Sequence, residues 1–436
     1  MAGSYTQGFS VEVFMNIKGA LQKRLQYMGK SPFFYKEPVN LETGEGVWLY
    51  DKSGKKYLDA YNNVPVVGHC HPKIVSSLKE QASKLNTHSR YLSEVVIDYS
   101  QKLTSLHSEE LSILQMACSG TEAVEVAIKM ARIYTGGVGI ICSNATYHGN
   151  SHEISRMTIG PFEPEFRRVH YPQYFRPIQK NLTEDELCNH YLDEVSKEIR
   201  SFKEDGIKFA GLIFCSIFAN EGLPDVPKKY LTEVSKIVRE AGGVMIFDEV
   251  QAGFGRTGCW WGYQLTDTPP DIAVMGKPMG AGLPVSGVVA KKEIALEFQQ
   301  QSHYFNTTAG TPLQAAVGKA VIEIIEEEEL IDNVNKTGDY MKKELLKLKE
   351  RYPSMGDVRG HGLFLGVDMI KNLDDLEPDK DGAVALVEKM KEKGVLISYD
   401  GQFENVLKIR PPLVFKSSHA DLLLTGLEES LEEINQ

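Results

Sequence analysis

The sequence predicts an α/β protein with a largely parallel β-sheet covered by helices on both faces, followed by a smaller α+β lobe. Between residues 73 and 312, short apolar runs alternate with stretches that place apolar residues at helical spacing, a pattern typical of strand–helix–strand units. Beyond residue 313 a long helical stretch precedes mixed strands and a final helix over 418–434. Ligands of parallel sheets bind at the carboxyl ends of the strands, so residues that directly follow the apolar runs are the first candidates for a site.

The composition indicates a globular protein that does not bind nucleic acid. The 436 residues are 42% hydrophobic and 25% charged, as in an ordinary soluble protein. The net charge of −11 argues against a nucleic-acid-binding protein, which would carry a basic face. The six cysteines form no CxxC pair, and His69 and His71 have no acidic or cysteine partner at ligand spacing. We therefore expect reduced thiols and no metal site.

The sequence also bears on location. The N-terminal residues lack the basic and apolar regions of a signal peptide. The longest apolar stretch, around residues 209–219, is too short to cross a bilayer. We expect a cytoplasmic enzyme that binds neither membranes nor nucleic acid.

The first hundred residues are expected to form peripheral elements. Residues 1–30 place apolar positions at helical spacing and predict one helix. Two short strand patterns, 46–51 and 56–59, flank a Ser-Gly turn and predict a hairpin. Residues 73–105 predict two helices separated by a polar loop that holds Arg90. That arginine could bind an anion or lie solvated on the surface, and the sequence leaves both open.

The first apolar run of the large unit leads into Ser119-Gly120-Thr121. After this turn, from Val124 onward, apolar residues recur on one helical face. A strand, a short polar turn and a helix place free backbone N–H groups and a hydroxyl at the positive end of the helix, which favours phosphate binding. Helix capping alone would also explain Ser119 or Thr121.

The next strand, predicted over 138–142, is followed by Tyr147-His148-Gly149. An aromatic residue after a strand end can stack on a planar ring, although ordinary packing would also place one there. The alternation continues after a proline-containing excursion with a helix, a buried strand, a second helix and a further strand, predicted over 184–203, 209–215, 228–241 and 243–248.

Asp248 and Lys277 carry the central functional prediction. Asp248 ends one apolar run and Lys277 follows the next. This pairing suits pyridoxal phosphate chemistry, because the lysine can hold the cofactor as a Schiff base. The acid can keep the pyridinium nitrogen protonated, so that the ring accepts electrons. Residues 253–258 match G-x-G-x-x-G, but polar residues separate them from the strand and no helix start follows, which disfavours a nicotinamide site.

The rest of the chain predicts a strand over 284–291, and a polar segment over 304–312 that leads into a long helix through Ile325. The polar stretch 371–382 is predicted to be a surface insertion. The smaller lobe is expected to contain strands over 362–369, 395–399 and 406–409.

Taken in order, the motifs at 119–123, 147–149, 248–258 and 276–277 resemble those of class-III aminotransferases, which are fold-type-I pyridoxal phosphate enzymes. The resemblance runs from about residue 30 to the C-terminus. It implies a mainly parallel sheet of the seven-stranded type in a large cofactor-binding domain, and a homodimer with active sites shared between subunits. The corresponding division is a large domain over 73–312 and a small domain formed by 1–72 and 313–436.

The resemblance assigns roles around the cofactor ring. It implies that Lys277 forms the Schiff base and that Asp248 binds the pyridine nitrogen. It places Val250 against the ring, Gln251 near the ring hydroxyl, and Tyr147 stacked on the ring.

The resemblance also implies a phosphate site. Gly120 and Thr121 are expected at the cofactor phosphate, and Thr307 is expected to reach the phosphate of the neighbouring subunit. Ser119 and His148, from the same motifs, complete the predicted cofactor-binding set.

Within the family, the chain looks most similar to the phospho-lyase branch, which acts on phosphoethanolamine and phosphohydroxylysine. The stretches that carry this likeness are 62–72, 85–92, 275–280, 304–307 and 406–412. Two positions depart from the aminotransferase pattern. The arginine of Arg-x-x-Pro-Pro, which pairs with an α-carboxylate, is Lys408 here, and lysine cannot make the planar two-pronged contact. The glutamate of Glu-Pro-x-Gln-Gly is replaced by Cys215.

These departures favour a lyase over a transaminase. The predicted reaction is a 1,2-elimination on the primary amine of a small phosphate- or phosphonate-bearing substrate. Lys277 removes a proton from the amine-bearing carbon, phosphate or hydroxide leaves the adjacent carbon, and ammonia and an aldehyde result. Arg90, Lys408 and Arg410 are candidate ligands of the anionic tail. The alternative is a class-III aminotransferase that passes the amine to a keto acid.

Overall fold

The structure, a computed structural model, describes residues 19–30, 32–158 and 163–434. Its strands are β1 (Leu41–Glu45), β2 (Trp48–Asp51), β3 (Lys56–Asp59), β4 (Leu111–Ala117), β5 (Gly139–Ser143), β6 (Phe166–Val169), β7 (Phe209–Phe214), β8 (Val244–Asp248), β9 (Ile272–Met275), β10 (Ser286–Lys291), β11 (Met355–His361), β12 (Phe364–Met369), β13 (Val395–Leu396), β14 (Ser398–Asp400) and β15 (Val406–Ile409).

The helices follow the same order along the chain. They are α1 (residues 19–28), α2 (Pro72–Lys84), α3 (Glu94–Thr104), α4 (Gly120–Thr135), α5 (His152–Thr158), α6 (Glu184–Glu204), α7 (Tyr230–Glu240), α8 (Lys292–Gln301), α9 (Pro312–Glu327), α10 (Leu330–Arg351), α11 (Lys380–Glu392) and α12 (Ser417–Ile434). Within the described residues, none of them is long and apolar enough to cross a membrane.

A seven-stranded sheet of order β4-β10-β9-β8-β7-β5-β6 forms the centre of the molecule. The strands from β9 to β6 pair in parallel, and β10 runs antiparallel to both of its neighbours. Every residue of β7, β8 and β9 is buried, because α4 and α8 cover one face of the sheet while α6 and α7 cover the other. The predicted α/β architecture is confirmed.

Two four-stranded sheets lie beside the central sheet, in the orders β11-β12-β15-β14 and β1-β2-β3-β13. The second one joins distant parts of the chain, because β3 pairs in parallel with β13. Helix α9 packs on α2 and α3, although it follows residue 312 in the chain. The domain boundaries given above stay predictions.

Several local predictions can be compared with the structure. The helix predicted over 1–30 begins among residues that the structure does not describe, and residues 19–28 are helical. Residues 159–162 of the predicted excursion also lie outside the described part. The predicted loop 371–382 is shorter than expected, because α11 begins at Lys380. The Asp379 side chain caps this helix by accepting a hydrogen bond from the Gly382 N–H.

Candidate active site

Asp248 lies at the carboxyl end of β8 and is almost fully buried. Its Oδ2 is 2.6 Å from His148 Nδ1, and its Oδ1 accepts a hydrogen bond from the Val250 N–H at 3.0 Å. The Nε2 of His148 is 2.6 Å from Thr146 Oγ1. The carboxylate is therefore held in one orientation by the residues on both sides of it.

Lys277 begins the turn after β9, and its side chain is exposed to solvent while its chain neighbours are buried. Desolvation by the surrounding protein and the cation Arg410 lower the pKa of Lys277, and Asp248 opposes them. A lowered pKa makes the neutral amine more available, which is the form that acts as a nucleophile or base.

The turn after β4 has the geometry of an anion site. Helix α4 begins at Gly120, and the Ser119 hydroxyl caps it by accepting a hydrogen bond from the Glu122 N–H at 3.2 Å. Thr121 Oγ1 accepts a hydrogen bond from the Asn150 N–H at 3.3 Å. The capping role of Ser119 is thus present, and the N–H groups of the first helical turn point to where an anion would bind.

Val250 lies between this turn and the residue before Lys277. A Cβ atom on Gly120 would come 3.2 Å from a methyl group of Val250, and one on Gly276 would come 3.4 Å from it. Both glycines therefore allow the chain to pack closely around Val250. Tyr147 is 48% exposed, and Asn220 Nδ2 donates to its backbone carbonyl at 2.9 Å.

The structure brings two of the three predicted substrate ligands close to Lys277. Lys408 and Arg410 are buried, and both act electrostatically on Lys277 or are acted on by it. Arg90 is not part of this cluster within the single chain. It is exposed and lies over the Phe305 ring, with its guanidinium carbon 3.9 Å from the ring centre.

Thr307 lies beside the turn after β4 of its own chain. It is exposed, and the neighbouring Thr308 Oγ1 is 3.4 Å from Cys118 Sγ, the residue before Ser119. The predicted contact of Thr307 with a second subunit stays a prediction.

Sequence analysis missed two side chains that organise the site. Asn220 donates to the Tyr147 carbonyl and accepts from Gln251 Nε2 at 2.8 Å, while Gln251 Oε1 accepts from Arg410. Asp400 forms an ion pair with Lys408. The sequence could have indicated Asp400, because it lies on the strand paired with that of Lys408, and diagonal positions on paired strands share a face.

Two sequence features prove to be part of the protein core. Residues 253–258 form turns instead of starting a helix, and Arg256 within them is fully buried and donates to Asn63 Oδ1 and the Leu363 carbonyl. Cys215 is also buried, and burial raises the pKa of its thiol. Neither feature has the geometry of a nucleotide or thiolate site.

Comparison with known proteins decides the family. The model of the family "Aminotransferase class-III" matches residues 34–431. The chain belongs to the class-III aminotransferases. This confirms the resemblance drawn from the motifs.

Members of this family with different names are similar to the chain. An Arabidopsis thaliana protein named alanine–glyoxylate aminotransferase 2 homolog 2, mitochondrial, is 35% identical over 95% of this chain and 87% of its own length. A Caenorhabditis elegans protein named ethanolamine-phosphate phospho-lyase homolog 1 is 33% identical over 95% of this chain and 94% of its own. An Arthrobacter phospholyase, solved in complex with phosphoethanolamine, is 40% identical with a TM-score of 0.92, covering 95% of this chain and 99% of that one.

The family and its solved transaminase structures imply pyridoxal phosphate as the cofactor, as the sequence predicted. The side chains of this structure fit that group. Lys277 would supply an amine for its aldehyde, Asp248 a buried carboxylate for its ring nitrogen, and the start of α4 would supply donors for its phosphate. Val250 and Tyr147 offer an apolar and an aromatic surface for the ring.

Proposed function

We propose that this class-III aminotransferase family member is a lyase that releases ammonia from a small primary amine bearing a phosphate or phosphonate group. The observation that carries the proposal is the environment of Lys408. The position that holds an arginine in Arg-x-x-Pro-Pro is occupied here by a lysine, already paired with Asp400 of the same chain. A lysine in that state is poorly suited to a planar contact with the α-carboxylate of an amino acid.

The cluster around Lys408 has the charge that an anionic substrate tail needs. Lys408, Arg410 and Lys277 are near one another, with Asp400 as the carboxylate among them. Arg410 is oriented by its hydrogen bonds to Gln251 Oε1 and to the Tyr61 carbonyl. Buried cations with fixed direction bind a phosphate or phosphonate more strongly than solvated ones.

Each side chain of the site has a separate role in the proposed reaction. When bound, pyridoxal phosphate supplies an electron sink for the carbon that bears the amine. Lys277 would remove a proton from that carbon, and its lowered pKa favours the basic form. Asp248, oriented by His148, would stabilise a positive charge on the ring nitrogen. Lys408 and Arg410 hold the anionic tail, so that the leaving group on the adjacent carbon is oriented.

A transaminase is the second candidate, favoured by the aminotransferase name of the 35% identical Arabidopsis relative. Ammonia release without a keto acid separates the two. The substrates are phosphoethanolamine, an aminoethylphosphonate with a hydroxyl beside the phosphonate, and an uncharged ω-amine. A lyase releases ammonia from a phosphorus-containing amine with no keto acid present. Turnover that requires pyruvate or 2-oxoglutarate would refute the lyase proposal.

Two variants complete this experiment. Lys277→Ala removes the amine and should abolish ammonia release. Lys292→Ala removes an exposed lysine at the start of α8 and should leave the activity unchanged. Full activity in Lys277→Ala would contradict the assigned base.

We also propose that the chain works as a homodimer. The loop between α2 and α3 presents the apolar side chains of Leu85, Tyr91 and Leu92, which are 58%, 66% and 95% exposed. An apolar patch of this kind marks an interaction surface, and it lies near the segment that holds Thr307. Light scattering should give twice the mass of the chain, and Leu92→Asp should shift it toward the monomer. A monomeric wild-type protein would refute this proposal.

A further inference from the structure

Glu122 lies in the first turn of α4 and contacts two separate segments with one carboxylate. Its Oε2 accepts a hydrogen bond from the Cys118 N–H at 2.8 Å, at the start of the turn that is expected to bind the cofactor phosphate. Its Oε1 accepts a hydrogen bond from Asn306 Nδ2, in the segment between α8 and α9. The carboxylate therefore holds the turn after β4 and this distant segment against each other.

Phosphate binding alone does not explain a glutamate at this position. The positive end of a helix favours an acidic residue in the first turn, but the cofactor phosphate is expected at the same end of α4. Like charges repel one another, so the charge of Glu122 opposes the binding of that anion. The contact with Asn306 gives the glutamate a different role, which is to fix the position of residues 304–309.

Asn306 orders the backbone on both sides of Thr307. Its Oδ1 accepts hydrogen bonds from the Thr308 N–H at 2.9 Å and from the Ala309 N–H at 3.2 Å. The donor group of the same side chain is bound to Glu122. A shift of the turn after β4 would therefore move this segment as well.

Phe305 continues these contacts to the loop between α2 and α3. The His88 ring lies edge-on to the Phe305 ring with the centres 5.8 Å apart, and the Arg90 guanidinium lies over the same ring. Further along, the Leu313 N–H donates to Asn86 Oδ1 at 3.1 Å. This loop carries the exposed apolar side chains of the proposed dimer interface. A continuous series of contacts thus joins the turn after β4 to that interface.

We propose that Glu122, acting through Asn306, links cofactor binding to dimer formation. This inference rests on the proposed homodimer. Glu122 is a positioning residue: the turn that is ordered when the cofactor phosphate is bound orders residues 304–309 in turn, and these support the interface loop. Residues that are already ordered cost less free energy to order again on association. Linkage is reciprocal, so the dimer binds the cofactor more tightly than the monomer by the same factor.

The first measurement is the affinity of the cofactor-free protein for pyridoxal phosphate, by equilibrium dialysis. Glu122→Gln removes the charge and leaves one acceptor for two donors. If repulsion of the phosphate were the main effect of Glu122, this variant would bind the cofactor more tightly. We expect weaker binding, by about fivefold or more, because a hydrogen bond to a charged group is lost. Glu125→Gln, at a position of α4 that accepts from Ser151 Oγ at 2.5 Å, should leave the affinity unchanged.

The second measurement is the monomer–dimer equilibrium, by analytical ultracentrifugation with and without pyridoxal phosphate. Leu92→Ala, or Leu92→Asp where a larger effect is needed, brings the dissociation constant of the dimer into a measurable range. The cofactor should lower this constant by about 5–150-fold, the usual range for two coupled sites. Adding Glu122→Gln or Asn306→Ala should reduce the factor to less than about threefold, and both together should do no more than either alone.

This second measurement separates linkage from a merely structural role. A variant that only destabilised the fold would weaken the dimer equally with and without the cofactor. Asn306→Ala decides the matter if Glu122→Gln does not fold, because it removes the same contact from outside the helix. Glu125→Gln should keep the full effect of the cofactor on the dimer.

Three outcomes would overturn the inference while leaving the homodimer in place. The first is an unchanged or tighter affinity for pyridoxal phosphate in Glu122→Gln. The second is a dimer dissociation constant that does not depend on the cofactor, and the third is a dependence that survives in both Glu122→Gln and Asn306→Ala. A wild type that is monomeric with and without the cofactor would instead refute the proposed homodimer itself.

Discussion

Asp368 in β12 accepts hydrogen bonds from three different side chains, and its loss should be costly. It is fully buried and accepts hydrogen bonds from both terminal nitrogens of Arg176 at 2.6 and 2.7 Å, from Arg359 at 2.7 Å and from Asn405 at 2.7 Å. Asp368→Asn keeps the size but leaves two guanidinium groups facing a neutral amide. Breaking a buried ion pair from one side costs about 3–5 kcal/mol, so we expect the free energy of unfolding to fall by about that amount.

Urea unfolding followed by circular dichroism measures the change. Asp374→Asn is the matched control, because it makes the same substitution at an exposed position of the same lobe and should cost less than about 0.5 kcal/mol. A loss below about 1 kcal/mol in Asp368→Asn would show that the two arginines find other partners. The view that this carboxylate joins the segment of Arg176 to the C-terminal lobe would then be wrong.

Three further predictions concern the central site. Burial raises the pKa of Glu221 to about 7 from an ordinary value of 4.5, so the stability that its protonated form contributes is complete below about pH 4.5 and lost as pH rises through 7. Urea unfolding across this range should show a falling stability, and Glu221→Gln, which keeps an acceptor for Ser143, should reduce the slope, with Glu249, whose pKa burial also raises to about 7, accounting for the remainder; an unchanged slope would contradict the assignment. Tyr147→Ala should weaken cofactor binding by about 2–10-fold in equilibrium dialysis, whereas Tyr147→Phe should not, and equal losses would argue against ring stacking. Gly120→Ala should release cofactor more readily, because its Cβ would press on Val250 at 3.2 Å; unchanged retention would mean that the turn can move.

The residues that sequence analysis placed best are those whose position depends on local pattern. Asp248 ends a fully buried apolar strand, and Lys277 follows another. A parallel sheet brings such strand ends to one edge. The same argument placed the start of α4 beside them. In each case the position could be predicted from one strand and the few residues that follow it.

Features that depend on breaks or distant pairing were harder to predict. Helices α9 and α10 are separated only by Glu328 and Glu329, and the break comes from the left-handed backbone of Glu329 at φ 51°. The sequence analysis ended the long helix at Ile325, close to the observed end of α9 at Glu327, but it did not predict α10 as a separate helix after the break. Asn220 joins Tyr147 to Gln251, three positions spread over about a hundred residues of sequence, and side-chain hydrogen bonds across that separation leave no periodic trace.

Lys408 shows why a departure from a family pattern has to be judged in its three-dimensional setting. In the sequence, lysine in place of arginine indicates only a lost carboxylate contact. In the fold, the lysine is buried, paired with Asp400 and close to Arg410. Arg410 next to it keeps a permanent charge, so the two side chains form one buried cationic cluster. Without Asp400, burial would lower the pKa of Lys408 further and favour its neutral amine form. The ion pair with Asp400 therefore favours the charged form of Lys408, so that it stands beside Arg410 as a second cation for the anionic group of the proposed substrate.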